Sequence, residues 1–123
     1  MTERERMVRK DGITCLHIAC NEGHVEIVRE LVRVGGEDLL AIMSTDGESC
    51  LHIACGRGHL AVVKLLLAAA PNALSLLNME SRTGVTCLLS ACSSEHSEIV
   101  HELVRVGGKD LLLKTDNNGR LRK

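Results

Sequence analysis

A block of residues returns three times along the chain, and that return restricts the possible folds more than any other feature. Asp11-Gly12-Ile13-Thr14-Cys15-Leu16-His17-Ile18-Ala19-Cys20 reappears as Asp46-Gly47-Glu48-Ser49-Cys50-Leu51-His52-Ile53-Ala54-Cys55. A third copy reads Thr83-Gly84-Val85-Thr86-Cys87-Leu88-Leu89-Ser90-Ala91-Cys92. The leading glycines, Gly12, Gly47 and Gly84, stand 35 and 37 residues apart, and Gly119 follows after another 35. A second echo pairs Leu31-Val32-Arg33-Val34-Gly35-Gly36-Glu37-Asp38-Leu39-Leu40 with Leu103-Val104-Arg105-Val106-Gly107-Gly108-Lys109-Asp110-Leu111-Leu112. Self-similarity at a fixed period is the mark of stacked units, each touching only its neighbours.

Each unit resolves into two short helices and a loop. Thr14, Ser49 and Thr86 place a hydroxyl just before an apolar run, where an N-cap belongs. The first helix is predicted to run about eight residues, to near Glu22, Arg57 and Ser94. Gly23 and Gly58 suit the tight turn that follows, because a positive φ is cheap for glycine. The second helix carries paired apolar residues one turn apart: Ile27, Val28, Leu31, Val32; then Val62, Val63, Leu66, Leu67; then Ile99, Val100, Leu103, Val104. Gly35, Gly107 and the Ala70-Pro71 step are predicted to end these helices. Isolated helices below ~12 residues are marginal in water, so every pair must lean on the next.

Gly-x-Thr-x-Leu-His-x-Ala followed by Gly-His-x-Glu-Ile-Val resembles the ankyrin repeat, over about residues 9 to 119. The resemblance implies an all-α repeat, a solenoid of ankyrin helix–turn–helix units with β-hairpin-like finger loops. It implies one domain over residues 1–123: a finger half at 1–12, repeats at 13–46, 47–83 and 84–118, and a truncated finger at 119–123. It also implies a non-catalytic module that binds a partner protein through the fingers and the concave face of the first helices. In the family the motif histidine, here His17 and His52, joins the capping hydroxyl to neighbouring finger backbone. His24, His59 and His96, ahead of the second helices, are expected to bond loop backbone.

The chain departs from the family pattern in places. Cysteine stands where the family has proline, at Cys15, Cys50 and Cys87. The extra residues fall in the loops, which predicts longer fingers or a short helical turn after Gly36, Pro71 and Gly108. In the third unit Leu89 replaces the histidine and Glu95 the turn glycine. A left-handed Glu95 would cost roughly 1–2 kcal/mol.

Composition limits the chemistry. Apolar residues make up 45%, charged ones 25%, and there is no Phe, Tyr or Trp, so the core is aliphatic and no ring can stack a nucleobase. Net charge is −1, which gives no field toward nucleic acid or anionic lipid. No apolar run approaches the ~20 residues of a membrane span, and the charged start, Met1 to Lys10, lacks the apolar core of a secretory signal. Six cysteines in an unexported chain indicate free thiols in the reducing cytoplasm or nucleus.

Six Cys and six His raise a metal site and a thiol enzyme. The in-helix pairs, Cys15/Cys20, Cys50/Cys55 and Cys87/Cys92, are five residues apart, so they diverge by roughly 7.5 Å along the axis and 140° around it. That suits neither chelation nor a disulfide. Equivalent cysteines are expected to form a ladder of packed small hydrophobes. A Cys–His enzyme needs one base on one thiol, whereas these features are copied into every unit. Neither catalytic residue, metal nor cofactor is assigned.

Residues that vary between units while the framework repeats are the candidates for partner contact. Finger tips offer Lys10, Asp11, Thr45, Asp46, Arg82, Thr83, Asn117 and Asn118. Just past the glycines lie Ile13, Glu48 and Val85. The ends of the first helices offer Asn21, Glu22, Gly56, Arg57, Ser93 and Ser94. End units without polar caps predict self-association. An engineered or excised array with no native ligand is the alternative to an interaction module.

Overall fold

The computed structural model describes residues 12–113. Lys10, Asp11, Asn117 and Asn118 therefore lie outside the described residues. Eight helices follow in order among the described residues: α1 (Cys15–Glu22), α2 (Val25–Leu40), α3 (Cys50–Arg57), α4 (Leu60–Ala69), α5 (Ala73–Leu77), α6 (Cys87–Ser93), α7 (Ser97–Gly107) and α8 (Lys109–Leu112). The first helices α1, α3 and α6 pack side by side, as do the second helices α2, α4 and α7 behind them. This is the expected all-α stack. No strand forms among the described residues; the fingers are tight turns. Ser44 N–H donates to the Glu48 carbonyl and Ser81 N–H to that of Val85, both at 2.9 Å, and Arg82 N–H reaches the Asp46 carbonyl of the preceding finger at 2.9 Å.

The helices begin where the hydroxyls stand. Thr14 and Ser49 accept from the backbone N–H of His17 and His52, and each histidine returns a bond to the cap residue's own N–H. Both ends of a capping box are thus met, with histidine in the place usually held by Glu or Gln. Thr86 caps α6 in the same way, but Leu89 gives nothing back. First helices end at turns with positive φ: Gly23 at 75°, Gly58 at 82°, and Glu95 at 59° in the third unit. Glu95 occupies the left-handed region despite its Cβ, as its alignment with the two glycines predicts.

The extra loop residues form short helical turns rather than longer fingers: the last part of α2, then α5 and α8. The break ahead of these turns corrects the expected one. Gly35 and Gly107 remain helical, and the chain turns at Gly36 (φ 61°) and Gly108 (φ 76°) instead. The first glycine of each pair serves close approach. A Cβ on Gly35 would lie 2.5 Å from Leu39 Cδ2, and one on Gly107 2.7 Å from Leu111 Cδ2.

One aliphatic core runs the length of the stack, through Leu16, Leu51, Leu66, Leu77, Leu88, Ile99 and Leu103, all with essentially no solvent exposure. Two expectations about this core need correction. The sequence pattern puts Ile27 in the buried stripe, but it is 51% exposed, and Cys15, expected to be packed, is exposed. Both lie on the side of unit one that faces away from unit two. Their equivalents Val62, Ile99, Cys50 and Cys87 are buried because a preceding unit covers them.

The cysteines also differ from the expected ladder of equivalents. Contact runs between non-equivalent thiols, Cys20 with Cys50 and Cys55 with Cys87. Cys50 and Cys87 then donate S–H to the Leu40 and Leu77 carbonyls, at 4.0 and 3.7 Å. The hydrogen bond to the neighbouring thiol, reinforced by burial, pushes the Cys20 and Cys55 thiols well above the ordinary range. These sulfurs are held as thiols and knit one unit to the next.

Candidate functional site

The face formed by the first helices holds a groove of about 660 Å³, mostly across the first two units. Its floor is the outward row of α1 and α3: His17, Ile18 and Asn21 beside His52, Ile53 and Gly56, with Ser90 of α6 at the far end. Ile13, Glu22, Glu48 and Arg57 form the rim. These positions meet because residues three and four apart share a helix face and the units stack in register.

The floor is fixed from below by the motif histidines. Thr14 N–H donates to His17 Nδ1 at 3.1 Å, and Ser49 N–H to His52 Nδ1 at 3.2 Å, so in each ring Nδ1 accepts and Nε2 carries the proton. His17 Nε2 then donates to the Glu48 carbonyl at 3.2 Å, and His52 Nε2 to that of Val85 at 2.8 Å. Each imidazole thus ties the start of one first helix to the finger of the next unit. Burial holds the His52 ring below the ordinary histidine value, only partly opposed by its bond to Val85. A second pair of rings supports the groove's far wall. His59 Nε2 donates to the Asn21 carbonyl at 3.0 Å and His96 Nε2 to that of Gly56 at 3.3 Å.

The rim is polar. Arg57 Nε donates to Asn21 Oδ1 at 2.8 Å, and Asn21 Nδ2 to Glu22 Oε2 at 3.0 Å, a chain that crosses from unit two to unit one. Among the polar residues of the floor stand two aliphatic ones: Ile18 is 45% exposed and Ile53 half-buried.

Of the residues predicted from sequence for partner contact, Ile13, Asn21, Glu22, Glu48, Gly56 and Arg57 are brought together on this groove. Asp46, Glu48, Arg82, Thr83 and Val85 line a second recess of about 560 Å³ between the two described fingers. Thr45 is exposed at a finger tip. Ser93 and Ser94 are exposed at the end of α6 and line neither recess. Ile18, Ile53 and Ser90 are not among the residues predicted from sequence, although a signal for them exists. They fill the unspecified place of Leu-His-x-Ala, where the framework makes no demand on the side chain.

Among the described residues, no three of His, Cys, Asp or Glu are grouped so as to hold a metal ion, and no helix is long and apolar enough to cross a membrane. The family model described as ankyrin repeats (three copies) matches residues 2–75. The chain belongs to the ankyrin repeat family. No curated protein matches it significantly. The family match ends within the second unit, and the third unit continues the ankyrin geometry through α6 and α7. Ankyrin repeats are generally protein–protein interaction modules and typically non-catalytic.

Proposed function

We propose that this ankyrin stack binds a segment of a partner protein in the concave groove, with Ile18 and Ile53 as the apolar part of its floor. The rim residues Glu22, Glu48 and Arg57 and the finger residues Asp46, Arg82 and Thr83 set its orientation. The observation that carries this reading is that Ile18, 45% exposed, and Ile53, half-buried, line one groove together with Ile13, Glu22, Glu48 and Arg57, the residues that differ between units. With no aromatic anchor available, binding energy would come from these isoleucines and from charge at the rim. The six cysteines favour the cytoplasm or nucleus as its place of action. A second copy of the chain, meeting it through the end units, is a further proposed partner.

Selection from a displayed random-peptide library provides the test. Peptides recovered on the wild-type chain should lose at least about tenfold in affinity on an Ile18→Asp/Ile53→Asp variant, because a carboxylate would have to be desolvated in the groove. Far-ultraviolet circular dichroism should be unchanged, since neither side chain is fully buried. Recovered peptides that bind the variant as well as the wild type would remove the groove as the site.

A further inference from the structure

The internal junctions of the stack define two faces by which residues they bury. On the side of each unit that faces the preceding one lie Cys50, Val62 and Leu66 in unit two and Cys87, Ile99 and Leu103 in unit three, all buried. The same places in unit one hold Cys15, Ile27 and Leu31, of which Cys15 and Ile27 are exposed and Leu31 half-buried. On the side that faces the following unit, Cys20, Val28 and Val32 and then Cys55, Val63 and Leu67 are buried. In unit three these places hold Cys92, Val100 and Val104, all half-buried. The uncovered side chains at one end are thus the same kinds, in the same order, as those that receive the opposite end at each internal junction.

Charge marks the junction of units two and three. Arg105 first, with Lys64 of the preceding unit behind it, holds the Glu102 carboxyl below its usual range. The place of Lys64 is taken in unit three by His101, and that of Glu102 in unit one by Glu30. A further junction would set His101 against Glu30.

We infer that the chain stacks head to tail on a second copy of itself, the Cys92–Val100–Val104 face of one copy seating on the Cys15–Ile27–Leu31 face of the next in the register of the internal junctions. This rests on the self-association proposed above and adds its faces, direction and register. Such an interface is heterologous: each copy keeps one face of each kind free, so addition continues beyond the dimer. At the new junction Cys92 of one copy meets Cys15 of the next, as Cys20 meets Cys50 and Cys55 meets Cys87 within one chain.

Complementation between two end variants tests this. Ile27→Glu spoils one face and Val100→Glu the other, and each should weaken association at least about tenfold, because a carboxylate would be buried in the joint. By sedimentation velocity, the wild-type chain should grow past a dimer as concentration rises, and each variant alone should stay monomeric. An equimolar mixture should give a dimer and stop there, since each variant retains the face the other lacks. A wild-type chain that stays monomeric throughout overturns both the inference and the self-association it rests on. Association that survives in either variant alone, or a mixture that forms no dimer, overturns the faces and direction while self-association stands.

A second measurement needs no substitution. A short bis-maleimide takes up two thiols by addition of each S–H across one alkene, with no oxidant. It should link Cys15 of one copy to Cys92 of another. Cys15–Cys15 and Cys92–Cys92 products alone would overturn the head-to-tail arrangement.

Discussion

Replacing Leu66 by alanine tests whether three helix pairs fold as one body. Leu66 has no exposed surface and sits in α4, which packs against α2, α3, α5 and α7. Removing three carbons at about 0.8 kcal/mol each gives about 2.4 kcal/mol of lost transfer energy. Helices on several sides leave the site little room to collapse, so the cavity should add about 1–2 kcal/mol and bring the total near 4 kcal/mol. Against the ~5–15 kcal/mol stability of a domain, that is a large fraction. Urea unfolding followed by circular dichroism measures the loss. Native-state hydrogen exchange then shows where it falls. If stacking makes the fold, amides in α1, α4 and α7 should lose protection together, by the same free energy. A loss below about 1 kcal/mol, or one confined to α3 and α4 while α1 and α7 keep their protection, would refute the cooperative stack.

Three further outcomes are expected. The folded state requires a neutral His52, whose ring burial holds below the ordinary value of 6.5, so its contribution is complete above that pH and is lost as pH falls beneath it; the urea midpoint should drop between pH 7.5 and 5.5. His52→Leu, which copies the third unit, should cost about 1–3 kcal/mol at pH 7.5 by taking the acceptor from the buried Ser49 N–H and one of two donors from the Val85 carbonyl, and should flatten that pH dependence. Glu95→Gly should stabilise the chain by about 0.5–1 kcal/mol, the relief of a left-handed φ of 59° less the added freedom of the unfolded chain, and the thermal midpoint reads it.

Much of the fold was legible because its signals are local. Thr14, Ser49 and Thr86 announce helix starts through hydroxyl chemistry, Gly23 and Gly58 announce turns, and the loop surplus after Gly36, Pro71 and Gly108 has to go somewhere compact. The misplaced features depend on neighbours the sequence does not display. In Gly35-Gly36 either glycine permits the break, and only the seat of Leu39 against Gly35 decides which one turns. The Cys20–Cys50 contact arises from a stagger between stacked helices that residue spacing cannot supply. Ile27 follows the same pattern as Val62, yet one is exposed and the other covered, since a repeat motif records the kind of position and not its place in the array. The groove was half legible. Its rim varies visibly between units, whereas Ile18 and Ile53 look like helix interior until the outward row of α1 and α3 is in view.

The same economy separates the two proposed interactions. The capping hydroxyls, His17 and His52, and the cysteines and aliphatic residues buried at the internal junctions are committed to holding units together, which leaves the unspecified motif place and the finger tips free to differ. A groove built from those free places can change without loss of fold, so Ile18→Asp and Ile53→Asp should alter peptide binding and leave both melting and head-to-tail addition alone. The end-face residues stand at framework places but outside every internal junction, so a change there leaves those junctions intact. Val63→Ala, buried at the junction of units two and three, and Val100→Ala, at the end face, should therefore part company. The first should lower stability by about 1–3 kcal/mol, while the second should chiefly weaken association. Equal effects of the two on melting, with none on association, would mean that the end of unit three is covered from within its own chain.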